Sequence, residues 1–512
     1  MFVRINTGAI VGIDAVAVTV EVNVATGGLG LFIVGLPDNT IKESNERIQA
    51  AFENTGYRLV AKKTVVNLAP ASLRKEGSQY DLAMAIGILA ATEQLHSDML
   101  EESMFIGELS LNGRLRSVTG VLPLVAMARD RGLRRVFMPE ANISEGAIVE
   151  GIECIGVGSL LEVCEILAGR MPYTPAEPII ATTEESLVGD YAEDFADVKG
   201  QAYVKRALEI AAAGGHNVIM VGAPGSGKTM LARRMPTILP PMSLEEALET
   251  TKIHSVAGKI GTHKGLMSCR PFRSPHHLAS QVALIGGGQS PQPGEVSLAN
   301  NGILFLDEMP EFGRNVLEVL RQPLEDRRIT ISRAKYSVEY PANFTLIASM
   351  NPCPCGYYNH PTKECTCSPA AVHRYMAHIS GPLMDRIDIH IEVTPVSIAE
   401  INDSAPTESS ADIRRRVIAA REIQRTRFEG IGIHCNAMMN SSMLRRFAPL
   451  CANCSALLER AMTHLKLSAR AYDRIIKVAR TIADLAGSEA IEPQHISEAI
   501  GYRSLDRDTW GR

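Results

Sequence analysis

Gly222-Ala-Pro-Gly-Ser-Gly-Lys-Thr229 fills every fixed position of the pattern G-x-x-x-x-G-K-[ST], and it follows the short apolar run Asn217-Val-Ile-Met-Val. Phosphate oxygens need several backbone N–H groups converging on one concavity, and residues without a Cβ let the chain wrap closely enough to point them inward. Gly222, Pro224, Gly225, Ser226 and Gly227 supply that loop, Lys228 a charge for the β- and γ-phosphates, and Thr229 a hydroxyl for Mg²⁺. A helix opening near Met230 adds the partial positive charge of its N-terminus. A second set lies downstream, where Ile303-Leu-Phe-Leu delivers Asp307 and Glu308 at the end of an apolar run. Asp307 suits a Mg²⁺-bound water, and Glu308 a base or orienter for an attacking water. A third apolar run, Phe344-Thr-Leu-Ile-Ala-Ser-Met, ends at Asn351. That amide either senses a γ-phosphate or lytic water, or is a strand-end turn residue before Pro352. Together these residues imply binding and hydrolysis of a nucleotide with Mg²⁺.

The elements that must hold these residues are buried parallel strands. Near-continuous apolar runs such as 217–221 and 302–306 are what strands covered on both faces look like, so helices are expected on either side. The 512 residues predict about three domains at roughly 150 each. Residues 1–170 alternate β-rich runs (15–22, 31–34, 63–68) with helical patterns such as 81–92, and read as a compact α/β domain. Residues 171–190, with Pro172, Pro175 and Pro178, read as a linker. Residues 191–395 form the parallel-sheet core. From 396 to 512 strand signals fade and helical patterns take over (410–428, 455–465, 469–486, 493–500), short enough for a small bundle.

Composition narrows the partners. With 46% hydrophobic and 21% charged residues the chain is an ordinary globular one, and disorder, collagen and coiled coil fit poorly. No apolar run reaches about 18 residues and the N-terminus lacks a signal-peptide pattern, so a cytoplasmic protein without membrane partners is expected. Fifty-two basic against 57 acidic residues give a net charge of −5, so any nucleic-acid surface must be a local basic patch.

At these motifs the chain resembles the AAA+ ATPases, and in detail the magnesium-chelatase-related ComM/YifB family, over nearly its whole length. The similarity rests on Asp197-Val-Lys-Gly-Gln201, the phosphate loop, Pro271-Phe-Arg-Ser-Pro-His-His277, Pro293-Gly-Glu-Val-Ser-Leu298, Leu306-Asp-Glu308, Ser349-Met-Asn-Pro-Cys-Pro-Cys-Gly356, Ser380-Gly-Pro-Leu-Met-Asp-Arg-Ile-Asp388 and Ser468-Ala-Arg-Ala-Tyr472. It implies an AAA+ P-loop core with a C-terminal helical lid. Asn351 would be sensor 1, Arg386 an arginine finger presented to a neighbouring subunit, and Arg470 the sensor 2 arginine of the lid. Without it, each arginine reads as a surface ion pair. A finger that completes another subunit's site couples turnover to assembly, and head-to-tail contacts of this kind close into rings, here a homo-hexamer by resemblance.

Two insertions decorate the core. The segment 283–294 (Ala-Leu-Ile-Gly-Gly-Gly-Gln-Ser-Pro-Gln-Pro-Gly) is too rich in Gly and Pro for a core helix and is expected to be a mobile loop like the helix-2 insertion of related rings. The segment 327–339 alternates around a turn near Ala334 and predicts a β-hairpin with Arg333, Lys335 and Tyr336 at its tip. In the related rings both loops face the pore, where cations meet phosphates and an aromatic ring stacks on a base. The plain alternative is an exposed hairpin that carries charge. Arg414, Arg415, Arg416, Arg421, Arg425 and Arg427 lie on one predicted helix, a pattern usually found on a solvated face.

The N-terminal segments 74–84 and 107–116 resemble the peptidase domain of Lon proteases. That chemistry needs a serine nucleophile activated by a lysine. On the family pattern Gln79 stands at the serine and Leu122 at the lysine, with Ser78 one position early, so no peptidase activity is expected. Of ten cysteines, Cys353, Cys355, Cys365 and Cys367 fall in one short loop and would suit tetrahedral zinc. A metal-free reduced loop is the alternative. His360 and His373 are substitute ligands, Cys451 and Cys454 lack a partner pair, and zinc here would brace the subunit interface. The resemblance implies a hexameric, ATP-driven DNA motor that migrates branched intermediates when single-stranded DNA is recombined during natural transformation, with recombination proteins as further partners. The motor subunit of a metal chelatase and an ATP-dependent protease or unfoldase are the rival classes.

Overall fold

The computed structural model describes residues 1–25, 28–179, 191–260, 265–288, 291–333, 336–358, 360, 362–397, 400, 407–465 and 467–503. The chain is mixed α/β, with two large sheets and a helical C-terminal region. Most of the linker expected at 171–190 lies outside the described residues.

Alternation of β-branched residues builds the first sheet. Val18, Val20 and Val22 point inward from the strand Asp14–Ala25 and are buried, with polar or half-exposed residues between them. That strand pairs antiparallel with Phe2–Val11, in register from Phe2 with Asn23 to Val11 with Asp14. The full sheet has seven strands in the order Gly30–Val34, Lys63–Ala69, Asp14–Ala25, Phe2–Val11, Ser103–Phe105, Arg135–Pro139, Glu153–Val157. Asp81–Ala91 is apolar on every side apart from Asp81, and the whole helix is buried against the sheet. Asp81 is held there by Arg47 Nε at 2.7 Å and by Ser44 Oγ at 2.5 Å.

The second sheet has five parallel strands in the order Phe272–Arg273, Ile303–Leu306, Thr345–Met350, Val218–Val221, Ile389–Glu392. All four residues of Val218–Val221 and of Ile303–Leu306 are buried, in keeping with their unbroken apolar sequence. The order places the phosphate-loop strand between Thr345–Met350 and Ile389–Glu392. Asp307 and Asn351 therefore emerge at the same carboxyl edge as the loop itself, where open α/β sheets bind ligands.

The C-terminal helices Ser410–Arg427, Ala452–Leu465, Ala469–Leu485 and Pro493–Gly501 do not form a bundle with its own core. Val417, Ile475, Ile482 and Ile496 share one apolar cluster with Ala207, Val218 and Leu231 of the sheet layer. The basic helix is correspondingly less solvated than its charge pattern predicts. Arg421 donates to Ala212 O at 2.9 Å, Arg427 pairs with buried Asp484, and Arg416 pairs with Glu209 and Glu408. Ala212 lies in the last turn of the helix Ala202–Gly214, where open carbonyls attract cations, so charge that reads as a wet face here fastens one layer to another.

A buried network completes that attachment. Asp388 accepts from Asn217 N at 3.2 Å and Arg474 at 2.8 Å, and pairs with His216 Nδ1 at 3.3 Å. Burial opposes its ionisation, yet the charge of Arg474 and the His216 hydrogen bond outweigh it and hold the carboxyl well below the usual carboxylate range. Asp388→Asn leaves Arg474 without its counter-charge and is expected to cost about 3–5 kcal/mol, measured by denaturant unfolding. A carboxylate of depressed pKa contributes stability above its unfolded value, here 3.8, that is lost as pH falls further. The variant should therefore lose less stability than the parent between pH 3.8 and lower pH.

The insertion at 283–294 is not a free loop where it is described. Its first residues continue a helix, Gln281–Ile285, capped by Ser280, and Gly286–Gly287 pairs with Gln292–Pro293. A Cβ on Gly286 would meet Gln292 O at 2.3 Å, so the glycine content permits a tight ribbon. The hairpin forms as Arg328–Arg333 with Tyr336–Pro341. Lys335 and the side chains of Arg333 and Tyr336 lie outside the described residues.

Candidate nucleotide site and the arginine edge

The phosphate loop is fixed from below. Gly222 N donates to Met350 O at 3.2 Å, and a Cβ on Gly222 would meet Val393 O at 2.3 Å, so the loop is pressed against the strand ends on both sides. Gly225 and Gly227 take φ of +78° and +91°, which turns the chain into the helix Lys228–Ile238. Gln201 Nε2 braces the loop by donating to Ser226 O at 3.0 Å. Nothing in the sequence Asp197-Val-Lys-Gly-Gln201 marks Gln201 for this task.

Lys228 is buried, and its ammonium donates to Gly222 O at 2.7 Å, Ala223 O at 3.0 Å and Asn351 Oδ1 at 3.3 Å. Burial pushes its pKa down, and the carboxylates of Asp307 and Glu308 push back. Thr229 Oγ1 donates to Asp307 Oδ2 at 2.9 Å, and the other Asp307 oxygen accepts from Ser349 Oγ. Ser349 also accepts from Glu308 N at 3.3 Å. This fully buried hydroxyl orients Asp307 and anchors the backbone of Glu308, yet nothing in its sequence position separates it from an ordinary strand residue. Glu308 sits at φ +51° and ψ +49°, a left-handed conformation costing roughly 1–2 kcal/mol for a residue with a Cβ. It turns out of the strand, and Glu308 is exposed at the carboxyl edge. Lys228, Thr229, Asp307, Glu308 and Asn351 are thus brought to one place.

Arg386 and Arg470 are not. Asp388 N and Ile389 N both donate to Asn217 O, so Arg386 lies at the amino edge of the sheet. The four-residue strand Val218–Val221, about 13 Å long, separates that edge from the loop. Arg386 is 8% exposed, bonded to Glu325 at 2.6 Å and to Pro382 O at 2.6 Å, and its Nε is buried without a hydrogen-bond partner. The Glu325 pair lines a cavity of about 470 Å³ with Arg321, Glu318, Ile285 and Thr330. Arg470 Nη1 donates to Asp385 Oδ2 at 2.9 Å, one residue from Arg386. Both arginines form ion pairs within the chain and share an edge remote from their own phosphate loop.

Cys353, Cys355, Cys365 and Cys367 converge, with all four Sγ atoms within 4.8 Å of one another, a set that could hold a metal ion. Among the described residues the set contains no histidine, and His360 Nδ1 accepts instead from Thr362 N and Lys363 N. The loop does not point away from the catalytic layer, because Gly356 packs on Pro224 of the same chain. Cys451 and Cys454 approach each other at 3.2 Å at the start of their helix, a pair of thiols only.

In the N-terminal domain Ser78 Oγ donates to the Glu108 carboxylate, and Leu122 is buried in an apolar cluster. Lys75 is fully buried, with its ammonium on the carbonyls of Gly35 and Pro70. The helix carrying Leu122 docks on the core. Gly120 N donates to Ser255 O at 3.1 Å, and Glu145 accepts from both Leu122 N and Ser255 Oγ.

The chain matches the family "Magnesium chelatase, subunit ChlI" over residues 194–401. It also matches "Subunit ChlI of Mg-chelatase" over 20–142 and "Magnesium chelatase, subunit ChlI C-terminal" over 407–503. It is 44% identical to "Uncharacterized protein YifB" of Escherichia coli over 505 residues, 98% of this chain and 97% of that protein. It is likewise 44% identical to "Competence protein ComM" of Haemophilus influenzae over 501 residues, 98% and 97% of the two chains. The similarity to the "Magnesium-chelatase 67 kDa subunit" of Heliobacterium mobile is 28% over 232 residues, 39% of this chain and 32% of that one.

Proposed function

The chain belongs to the ComM/YifB family of magnesium-chelatase-like AAA+ proteins, and from that premise we propose that it is a hexameric, ATP-driven DNA motor that migrates branched recombination intermediates during natural transformation. The observation that carries this reading is the separation of Arg386 and Arg470 from their own phosphate loop by the length of the strand Val218–Val221. One chain holds a phosphate cradle at one edge and its arginines at the other, so head-to-tail packing brings the arginines of one subunit to the nucleotide of the next. Hydrolysis then depends on assembly.

Lys228 exchanges its carbonyl partners for phosphate oxygens, gaining opposite charge where burial disfavours its own. The Thr229 hydroxyl and Asp307 carboxylate, already joined, fit Mg²⁺, which keeps several waters and takes few protein ligands. Bound there, Mg²⁺ neutralises charge developing on the phosphates. Glu308 takes the proton of the attacking water, and Asn351, hydrogen-bonded to Lys228, reports the γ-phosphate to the strand Thr345–Met350. Arg386 and Arg470 stabilise the transferred phosphoryl group of the neighbouring subunit.

A role in competence is supported by the name of the Haemophilus influenzae relative, and a polyanion such as DNA by the basic residues Arg333 and Lys335 in the sequence. Arg333, Lys335 and Tyr336 engage the backbone and bases of a single strand, in a cytoplasmic protein working beside recombination proteins. Among the described residues no helix is long and apolar enough to cross a membrane. The N-terminal domain is non-proteolytic, its Leu122 helix serving instead as the dock for the ATPase layer. ATPase assays with and without branched DNA test the function: stimulation supports it, whereas no stimulation and no DNA binding sink it in favour of a chelatase motor. Replacing Arg333 and Lys335 with alanine is expected to make the salt dependence of single-strand binding shallower by about 0.7 per lost phosphate contact. An unchanged slope, read from binding titrations across salt concentrations, would move the DNA site elsewhere.

A further inference from the structure

Tetrahedral zinc with thiolate bonds of about 2.3 Å sets its sulfurs roughly 3.8 Å apart. Here Cys353 and Cys355 Sγ are 3.3 Å apart, Cys353 and Cys365 3.7 Å, and Cys355 and Cys365 3.5 Å. Cys355 N donates to Cys367 Sγ at 3.4 Å, the backbone contact that steadies a metal-bound thiolate. All four thiols are free of disulfides, Cys353 is buried and the other three are half-buried. The spacing selects one ion over an iron–sulfur cluster, whose thiolates sit on separate irons.

The same loop grips the nucleotide site from two directions. Met350 O receives Gly222 N, and Asn351, two residues before Cys353, receives Lys228. Gly356, next to Cys355, lies at φ +84° with its N–H on Cys353 O, and a Cβ there would meet Pro224 Cδ at 2.5 Å. The second cysteine pair leads into the helix Pro369–Met376, whose Tyr375 hydroxyl faces the Asn351 backbone. Ordering this loop therefore orders Pro224 and Asn351 together.

We propose that Cys353, Cys355, Cys365 and Cys367 bind one zinc ion, and that the zinc–thiolate knot sets the position of the phosphate loop and Asn351, making nucleotide affinity depend on metal loading. Four thiols lose four protons as one Zn²⁺ gains four Zn–S bonds, with no change in oxidation state. The coupling, though not the metal site, rests on the nucleotide-binding reading above.

Full-length protein purified under reducing conditions should carry one zinc per chain by elemental mass spectrometry. Removing the zinc with a mercurial and then a thiol should weaken binding of a fluorescent ATP analogue roughly tenfold, within the range produced by misplacing site groups by about 1 Å. Adding Zn²⁺ back should restore it. Cys365→Ser with Cys367→Ser should lose both the metal and the affinity. If that variant fails to fold by thermal melting, zinc depletion and re-addition on the parent carry the test of the coupling, and Gly356→Ala, which should keep the zinc and weaken nucleotide by driving a methyl group into Pro224, tests the contact through which it acts. No zinc bound after incubation with Zn²⁺ overturns the site, and zinc lost with nucleotide affinity unchanged overturns the coupling. Lys228→Ala should bind zinc without nucleotide. A parent protein that binds zinc but no nucleotide would instead sink the phosphate-loop reading and leave the metal site standing.

Discussion

Arg386→Ala is expected to lower ATP turnover by roughly 10³-fold or more while leaving nucleotide affinity nearly intact, since a trans-acting arginine contributes about 10³–10⁵ to phosphoryl-transfer rates. The two effects separate because Arg386 lies at the amino edge of the sheet, remote from the loop of its own chain. Mixing Arg386→Ala with Lys228→Ala protein should return part of the activity. An intact cradle from the first variant then meets an intact arginine from the second, at about a quarter of randomly formed interfaces. No recovery on mixing, or full turnover by Arg386→Ala alone, would defeat the trans assignment. Glu325 sharpens the test. Its carboxylate, 2.6 Å from Arg386, occupies the guanidinium that must reach a neighbour's phosphate. Glu325→Gln keeps the shape and removes the charge, so the arginine is released more readily, and turnover should survive in that variant.

These arginines also show where the sequence stops being informative. The phosphate loop, Asp307 and Glu308 are legible because their chemistry needs neighbours in the chain: glycines beside a lysine, carboxylates at the end of one apolar strand. Alternation at Val18, Val20 and Val22 is legible for the same reason, since a strand's two faces repeat every second residue. Ser349 and Gln201 act across gaps of 42 and 25 residues, and no local pattern marks a hydroxyl that will orient Asp307 or an amide that will hold Ser226. Charge is ambiguous in a further way. Arg416, Arg421 and Arg427 have the spacing of a solvated helix face, but whether such a face meets water or, as here, Glu209, the Ala212 carbonyl and Asp484 is decided by packing at long range. The cysteine loop shares that ambiguity, for its spacing shows that four thiols can meet but not that Gly356 rests on Pro224.

Glu308→Gln is expected to bind ATP as tightly as the parent or slightly more tightly, and to turn it over about 10²–10⁴ times more slowly, the range for loss of a positioned general base. The amide fills the same space at φ +51°, and Ser349 still receives the backbone N–H, so the turn that presents residue 308 persists. Asp307 keeps its Thr229 and Ser349 partners, and the cation site is untouched. Only basicity is removed. Because the Glu308 carboxylate also supports the charge of Lys228, the substitution trims that support while relieving repulsion toward the γ-phosphate, two opposed electrostatic changes of similar reach. Affinity should therefore barely move while the chemical step stalls, and ATP should accumulate unhydrolysed at subunit interfaces. If Arg386 acts in trans as proposed, the variant should stay assembled longer than the parent in size-exclusion chromatography with ATP. Normal turnover by Glu308→Gln would assign the base elsewhere. Loss of ATP binding with an unchanged melting temperature would instead mean that the carboxylate holds the nucleotide rather than activating water.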